Sequence, residues 1–293
     1  MHIPNLQHNI VLAPYTTFKI GGPARYFVVV KTKEELFYAL AEARRTKTPW
    51  VILGGGSDVL VSDAGFPGLV IKSELRHVAV NEGNAQVRAE SGVRMSGLIT
   101  QTMKHELTGL EYAIGVPASV GGAVWANLGA RGRQMQEFVL EVTVINEQGE
   151  EQILYNAQCQ FGYRDSIFKH KKFVIIDVLL QLARGNQAKI KEEMQQLVTL
   201  RKDTQDIAAK CAGCVFRNPK DQTDIPAAKL IDDLGLKGFS IGGAQVSPLH
   251  ANFIINTGTA TAQDVVMLIS YIKQQVRDNA GIQLMEEIEY IGF

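Results

Sequence analysis

Trp50-Val51-Ile52-Leu53-Gly54-Gly55-Gly56-Ser57-Asp58-Val59-Leu60-Val61 decides the fold class. An apolar, β-branched run stops at three consecutive glycines and resumes as a second apolar run. This pattern predicts a strand, a tight loop and another strand. Without Cβ atoms the glycine backbone can take φ > 0 and bring its N–H groups close to a phosphate. Two familiar phosphate loops are excluded. A Rossmann fingerprint requires a third glycine near position 59, opening a helix, and Val59 stands there in an apparent strand. Nor does a Lys-Ser/Thr pair follow the glycines, as a Walker A loop demands. Read alone, the loop fits a nucleotide site and a plain surface turn equally.

Upstream, Arg25–Val30 is β-branched and aromatic, and Lys33–Thr46 is rich in helix formers. With Trp50–Leu53 these predict a β-α-β opening. Downstream, Leu69-Val70-Ile71 predicts a further strand and Met95–Leu107 a helix. Leu140, Val142 and Val144 share one face of a strand that ends at the turn Glu147-Gln148-Gly149. Ile190, Met194 and Leu197 line one face of a helix over 190–201. Val265, Leu268, Ile269, Ile272 and Val276 line one face of another over 262–279. The polar, turn-rich stretch 202–225, with Asn218-Pro219, marks a domain boundary. The pattern is α+β, with several small units sharing one site.

The 293 residues carry 30 basic and 30 acidic side chains, so the formal charge is zero. Duplex binding needs a basic excess, and nucleic acid is therefore excluded as the main partner. No basic and apolar leader opens the sequence, and runs such as Phe173–Leu182 are too short to span a bilayer. Three cysteines, an odd number, fit a reducing compartment better than a disulfide framework. A cytoplasmic protein without a membrane partner is expected.

A second glycine-rich run, Gly115-Val116-Pro117-Ala118-Ser119-Val120-Gly121-Gly122-Ala123, is uncharged and ringed by apolar residues. It is predicted to pack against a large flat ligand while donating backbone hydrogen bonds. Two such loops suggest a dinucleotide or flavin site. Its candidate residues are Gly54, Gly55, Gly56, Ser57 and Asp58, with Gly115, Val116, Pro117, Ser119, Gly121 and Gly122.

Further segments extend the pattern: Thr17-Phe18-Lys19-Ile20-Gly21-Gly22-Pro23-Ala24, Asn127, Tyr163-Arg164-Asp165-Ser166, Ala212-Gly213-Cys214-Val215-Phe216-Arg217-Asn218-Pro219, and Ser247 to Asn256. In this order they resemble the UDP-N-acetylenolpyruvoylglucosamine reductase family over nearly the whole chain. The resemblance implies a vanillyl-alcohol-oxidase/PCMH-type two-part FAD-binding fold plus a C-terminal α+β substrate domain. The implied limits are 1–73 and 74–201 for the two FAD-binding parts and 202–286 for the substrate domain, with a strand over 287–293 returning to the first part. It also implies FAD as cofactor, NADPH as reductant and an enolpyruvyl UDP-sugar as substrate, in peptidoglycan synthesis. Neither glycine loop contains a His or Cys, so FAD is expected to be non-covalent. The short spacing from Arg164 to Cys214 marks the type without an extra substrate-covering insertion, and a monomer is expected.

In that family the flavin N5 hydride goes to C3 of the substrate, leaving an enolate that is protonated at C2. The match carries three catalytic roles to this chain. Arg164 stabilises the enolate, as a permanently charged guanidinium with paired donors can. Its other reading is a surface salt-bridge residue. Cys214 stands where many relatives carry a serine acid. A thiol, with an ordinary pKa near 8.5, gives up a proton more readily than an alcohol. Cys211 and Cys214 also form a Cys-x-x-Cys spacing, so structural-thiol, redox and metal readings stay open, although a zinc site would need two more ligands. Glu287 is selected by its place before Ile288, with Glu286 the alternative. Tyr163, Asn218, Lys229, Gln245 and His250 are expected near the substrate, and Ser247 and Asn252 are placed similarly. Asp206 stands where relatives often have proline.

Overall fold

The computed structural model describes every residue except Ile207. The chain forms two compact units from interleaved segments. The first comprises Met1–Gln7, Phe27–Gly55 and Leu69–Arg201, and the second His8–Tyr26, Gly56–Gly68 and Lys202–Phe293. The α+β class expected from the sequence is the one observed.

In the first unit, Thr32 caps helix α1 (Lys33–Arg45): its hydroxyl accepts from the Glu35 amide, and the Glu35 carboxylate accepts from the Thr32 amide. Leu36, Ala39, Leu40 and Ala43 make its buried stripe at helical spacing. The strand Trp50–Leu53 then runs parallel to Leu69–Lys72, residue against residue. This register sets Lys72 opposite Leu53, immediately before the glycines.

A five-stranded antiparallel sheet forms the rest of the unit. Its order is Glu151–Tyr155, Val139–Ile145, Val174–Gln181, Gln86–Glu90 and Val78–Asn81. Val142, Val144, Val178, Leu180, Val87 and Ala89 are buried with apolar residues of α2 (Met95–Lys104) and α3 (Val120–Trp125). Arg88 bridges Asp177 at 2.5 Å and Glu141 at 2.9 Å across three strands. The helix α2 is shorter than the expected 95–107. Glu106 takes φ 54°, and Leu107 instead joins a two-stranded ladder with Arg184. Two helices follow, α4 (Ile167–His170) and α5 (Gln187–Thr204).

The second unit is built on α7 (Ala262–Ala280), which follows α6 (Ala227–Asp233). Val265, Leu268, Ile269, Ile272 and Val276 are buried, the face expected from the sequence. They share a core with Phe18, Leu60, Phe216 and Ile288. A four-stranded sheet orders Lys210–Cys214, Phe253–Asn256, Ala244–Val246 and Ser240–Ile241. The strand Val59–Val61 continues from the glycine loop and pairs in parallel with Glu289–Ile291. No helix follows the glycines, which agrees with the exclusion of a Rossmann loop. No helix among the described residues is long and apolar enough to cross a membrane.

Thr261 caps α7 and Asp264 completes its capping box. Thr261→Ala is expected to cost about 1 kcal/mol of unfolding free energy in urea. The Asp264 carboxyl is held below the usual range chiefly by hydrogen bonding from the Thr261 amide, with burial opposing and the Gly243 amide and Thr261 hydroxyl adding to the lowering. A lowered folded-state pKa adds stability above the unfolded value, near 3.9, and the contribution is lost as pH falls through the folded pKa. The stability gap between wild type and Asp264→Asn is therefore expected at pH 7 and to shrink as pH falls through the folded-state pKa.

Candidate active site

The two glycine stretches meet in the first unit. A Cβ on Gly54 would lie 2.5 Å from the Ser119 hydroxyl oxygen, and one on Gly55 would lie 2.9 Å from the Pro117 carbonyl. In the second unit Gly56 has φ 65°, and a Cβ there would lie 2.2 Å from the Tyr15 carbonyl. The Gly56 carbonyl accepts from the Thr17 amide at 2.9 Å, and that of Asp58 from Glu289 at 2.9 Å. Gly55 and Gly56 are thus required by close approach of backbone, and Gly54 by the Ser119 hydroxyl.

The stretches offer a ligand different things. The amides of Gly55, Gly56 and Ser57 donate to no protein acceptor among the described residues. In the other stretch, Val120 donates to Val93, Gly121 to Ser91 and Gly122 to the Ser119 hydroxyl. The amides at 120–122 are therefore already engaged within the protein. A Cβ on Gly121 would meet Ser91 Cβ at 2.8 Å, so this glycine lets α3 pack closely on the turn after the strand Gln86–Glu90. Gly115 takes φ 78°, and the amide of Val116 closes a turn on Ala113.

Arg164 lies in the first unit, at the third position of a tight turn. Gly162 and Asp165 exchange backbone hydrogen bonds of 2.9 and 3.3 Å around Tyr163 and Arg164. Arg164 has φ 55°, a conformation that costs a non-glycine residue free energy and must be held by its surroundings. Asn127 provides part of that hold. Fully buried, it donates to the Gly162 carbonyl at 2.7 Å and accepts from the Gln136 amide at 3.0 Å. A Cβ on Gly129 would lie 2.8 Å from Arg164 Nη1, so that glycine makes room for the guanidinium. Tyr163 is partly exposed, with the guanidinium 5.8 Å from its ring. Burial pushes the Asp165 carboxyl up, but hydrogen bonds from His170 and the Ser166 amide outweigh it and leave the group below its ordinary range.

Cys214 and Glu287 belong to neighbouring segments of the second unit. Cys214 ends the strand Lys210–Cys214 opposite Phe253, after a register irregularity that begins at Cys211. The next residue, Val215, accepts from the Glu287 amide at 2.7 Å, and Arg217 donates to the Met285 carbonyl at 2.9 Å. Phe216 forms an isolated bridge with Glu286, whose carboxylate is 2.9 Å from Lys273 Nζ. Both Glu286 and Glu287 are half-buried. The strand expected from 287 onward begins at Glu289, after a bend at Ile288, so strand alternation does not relate Glu287 to Glu289. Among the described residues no group of three or more His, Cys, Asp or Glu could hold a metal ion.

The remaining candidates make local contacts. The Asn218 side chain accepts from Ala227 at 3.0 Å, fixing the start of α6. Lys229 pairs with Asp233 on the exposed face of that helix. Gln245 donates to the Gly238 carbonyl and the Ser240 hydroxyl, both at 3.1 Å. His250 lies 4.5 Å from the Phe253 ring, and its amide donates to the Ser247 hydroxyl. Asn252 clamps the backbone of Phe216 on both sides, at 2.9 and 2.8 Å. Three residues were not singled out by the sequence: Lys72, Asn127 as an anchor of the Arg164 turn, and Lys273. Only the fold reveals their partners.

Unpartnered amides at Gly55–Ser57 and glycines with no space for a Cβ fit a diphosphate-bearing cofactor. Comparison with known proteins agrees. Residues 24–154 match the FAD binding domain family, and 205–291 match the family of the UDP-N-acetylenolpyruvoylglucosamine reductase C-terminal domain. A curated reductase of that name from Caldanaerobacter subterraneus is 43% identical over 95% of this chain and 91% of its own. One from Protochlamydia amoebophila is 41% identical over 100% of this chain and 96% of its own. The crystal structure of the Thermus caldophilus enzyme matches with a TM-score of 0.81 at 32% identity, covering 98% of this chain and 99% of that one. The fold is therefore the PCMH-type two-part FAD-binding fold with a C-terminal α+β domain. The chain belongs to the UDP-N-acetylenolpyruvoylglucosamine reductase family and is an FAD-dependent oxidoreductase.

Proposed function

We propose that this enzyme reduces UDP-N-acetylenolpyruvoylglucosamine to UDP-N-acetylmuramate with electrons from NADPH, in the cytoplasm, for peptidoglycan synthesis. The observation that carries this reading is the 43% identity to a reductase of that name over 95% of the chain. We place the FAD-binding parts at 1–73 and 74–201 and the substrate domain at 202–286, with the C-terminal strand returning to the first part. FAD is held without a covalent bond by Gly54–Asp58 and Gly115–Gly122.

Bound FAD supplies the hydride, which adds at C3 of the enolpyruvyl group. The double-bond electrons move toward C2 and the carboxylate, forming an enolate. The Arg164 guanidinium grips that carboxylate and stabilises the developing charge. Cys214 then passes its Sγ proton to C2, and the thiolate recovers a proton from solvent. Glu287 joins Arg164 in stabilising the enolate. Tyr163, Asn218, Lys229, Gln245 and His250 are assigned to the substrate side.

The test is steady-state NADPH oxidation by the FAD-loaded enzyme. One NADPH should be consumed per enolpyruvyl-UDP-GlcNAc added, with little consumption in its absence. Oxidation driven by oxygen alone and unaffected by the sugar nucleotide would instead indicate an oxidase.

A further inference from the structure

Cys211 takes no part in the hydride or proton steps, yet it shares a strand with Cys214. By plain strand alternation, residues three apart point to opposite faces. Here the ladder is irregular. Cys211 pairs with Ile255 and Cys214 with Phe253, so three steps on one strand match two on the other. That is a β-bulge, and its extra residue returns Cys214 to the face of Cys211. Burial agrees: Ala212 and Ile254 enter the core of the unit, whereas both cysteines stay half-buried. The cysteine face also carries Gln245, paired with Ile255, and Phe253, whose ring lies 4.5 Å from that of His250.

Two positions of strand span about 6.6 Å. Disulfides bridge Cα atoms about 4.4–6.8 Å apart, so the pair stands at the outer part of that range. The bulge bends the strand and shortens the span. Gly213 makes the bend with φ 78°, and nothing lies within 4 Å of where its Cβ would stand, so the kink has room to tighten. The flanks are anchored: the Thr17 hydroxyl donates to the Cys211 carbonyl at 2.6 Å, and the Val215 amide donates to the Asn252 carbonyl at 2.9 Å. The two thiols are thereby kept as neighbours on one accessible face.

We propose that Cys211 and Cys214 form an oxidation site, closed by a two-electron oxidant into a disulfide that removes the proton destined for C2. Two S–H bonds break and one S–S bond forms. The two electrons and two protons pass to the oxidant, hydrogen peroxide leaving as two waters or an azo compound as a hydrazine. Thiol exchange with a reductant reverses the step. The effect on turnover rests on the reading of Cys214 as the acid.

The experiment treats the FAD-loaded enzyme with the azo oxidant diamide, then desalts, alkylates with iodoacetamide and digests with trypsin. Cleavage after Lys210 and Arg217 leaves both cysteines in one peptide. That peptide should carry no alkyl group and be lighter by two hydrogens than the dithiol form. NADPH should still reduce the oxidised enzyme's flavin. Reoxidation by the enolpyruvyl sugar nucleotide should slow about 10²- to 10⁴-fold, as expected for loss of a positioned acid, and dithiothreitol should restore it. Cys211→Ser should keep its turnover through the same treatment, because one thiol cannot close the bridge. A peptide that stays fully alkylated would overturn the inference and leave the acid role of Cys214 untouched. A disulfide that forms without slowing reoxidation would overturn it too. Cys214→Ala then locates the failure: near-normal reoxidation in that variant removes the acid role, and slow reoxidation removes only the block by the disulfide.

Discussion

Cys214→Ala is expected to leave flavin reduction by NADPH at its wild-type rate and to slow flavin reoxidation by the enolpyruvyl sugar nucleotide about 10²- to 10⁴-fold. That range is the usual contribution of a positioned general acid. The two half-reactions separate because the proton to C2 is needed only in the second. A half-buried thiol at a strand end can serve this role. Cys159 illustrates the opposite case: it is fully buried, and burial pushes its thiol up to about 12. Cys214→Ser should keep partial activity, since the hydroxyl has the geometry but is a weaker acid. Stopped-flow traces of both half-reactions provide the check. Reoxidation of Cys214→Ala at a near-normal rate would remove Cys214 from the mechanism.

The second large effect is on stability. Phe216→Ala should destabilise the protein by about 3–5 kcal/mol, as deletion of a buried aromatic ring does. Phe216 is 1% exposed, and its backbone is clamped by Asn252 while it bridges Glu286. Removing the ring leaves a cavity in the core that also holds Val215, Ile231, Ile269 and Ile288. Urea unfolding should show a lower midpoint with an unchanged slope. A loss below about 1 kcal/mol would mean that the core collapses around the gap or that Phe216 contributes little to it.

These expectations differ in how far the sequence alone supports them. Helix-forming composition was sufficient for α1 and apolar periodicity for α7; the buried faces of both follow helical spacing and both N-termini carry capping boxes. The Gly-Gly-Gly-Ser loop was legible as strand–loop–strand because Val59 and Leu60 continue in β-branched or apolar residues. The end of α2 was not legible, because Leu107 extends the apolar pattern while the chain has already turned at Glu106. Which amides of the second glycine stretch are engaged was not legible for a similar reason. Composition shows where a Cβ is absent, but whether an amide is free depends on Ser91 and Val93, more than twenty residues away in sequence. Arg164 was reached through a motif, whereas the turn geometry and the Asn127 anchor that hold it are tertiary facts. Lys72 resembles any strand lysine until its partner is known to be the Gly54 carbonyl.

The most direct test of the account is anaerobic. The FAD-loaded enzyme is reduced with one equivalent of NADPH in deuterated water, and enolpyruvyl-UDP-GlcNAc is then added. The oxidised flavin spectrum should return in a single turnover, with UDP-N-acetylmuramate carrying one solvent deuterium at C2. A flavin that stays reduced until oxygen is admitted would contradict the account.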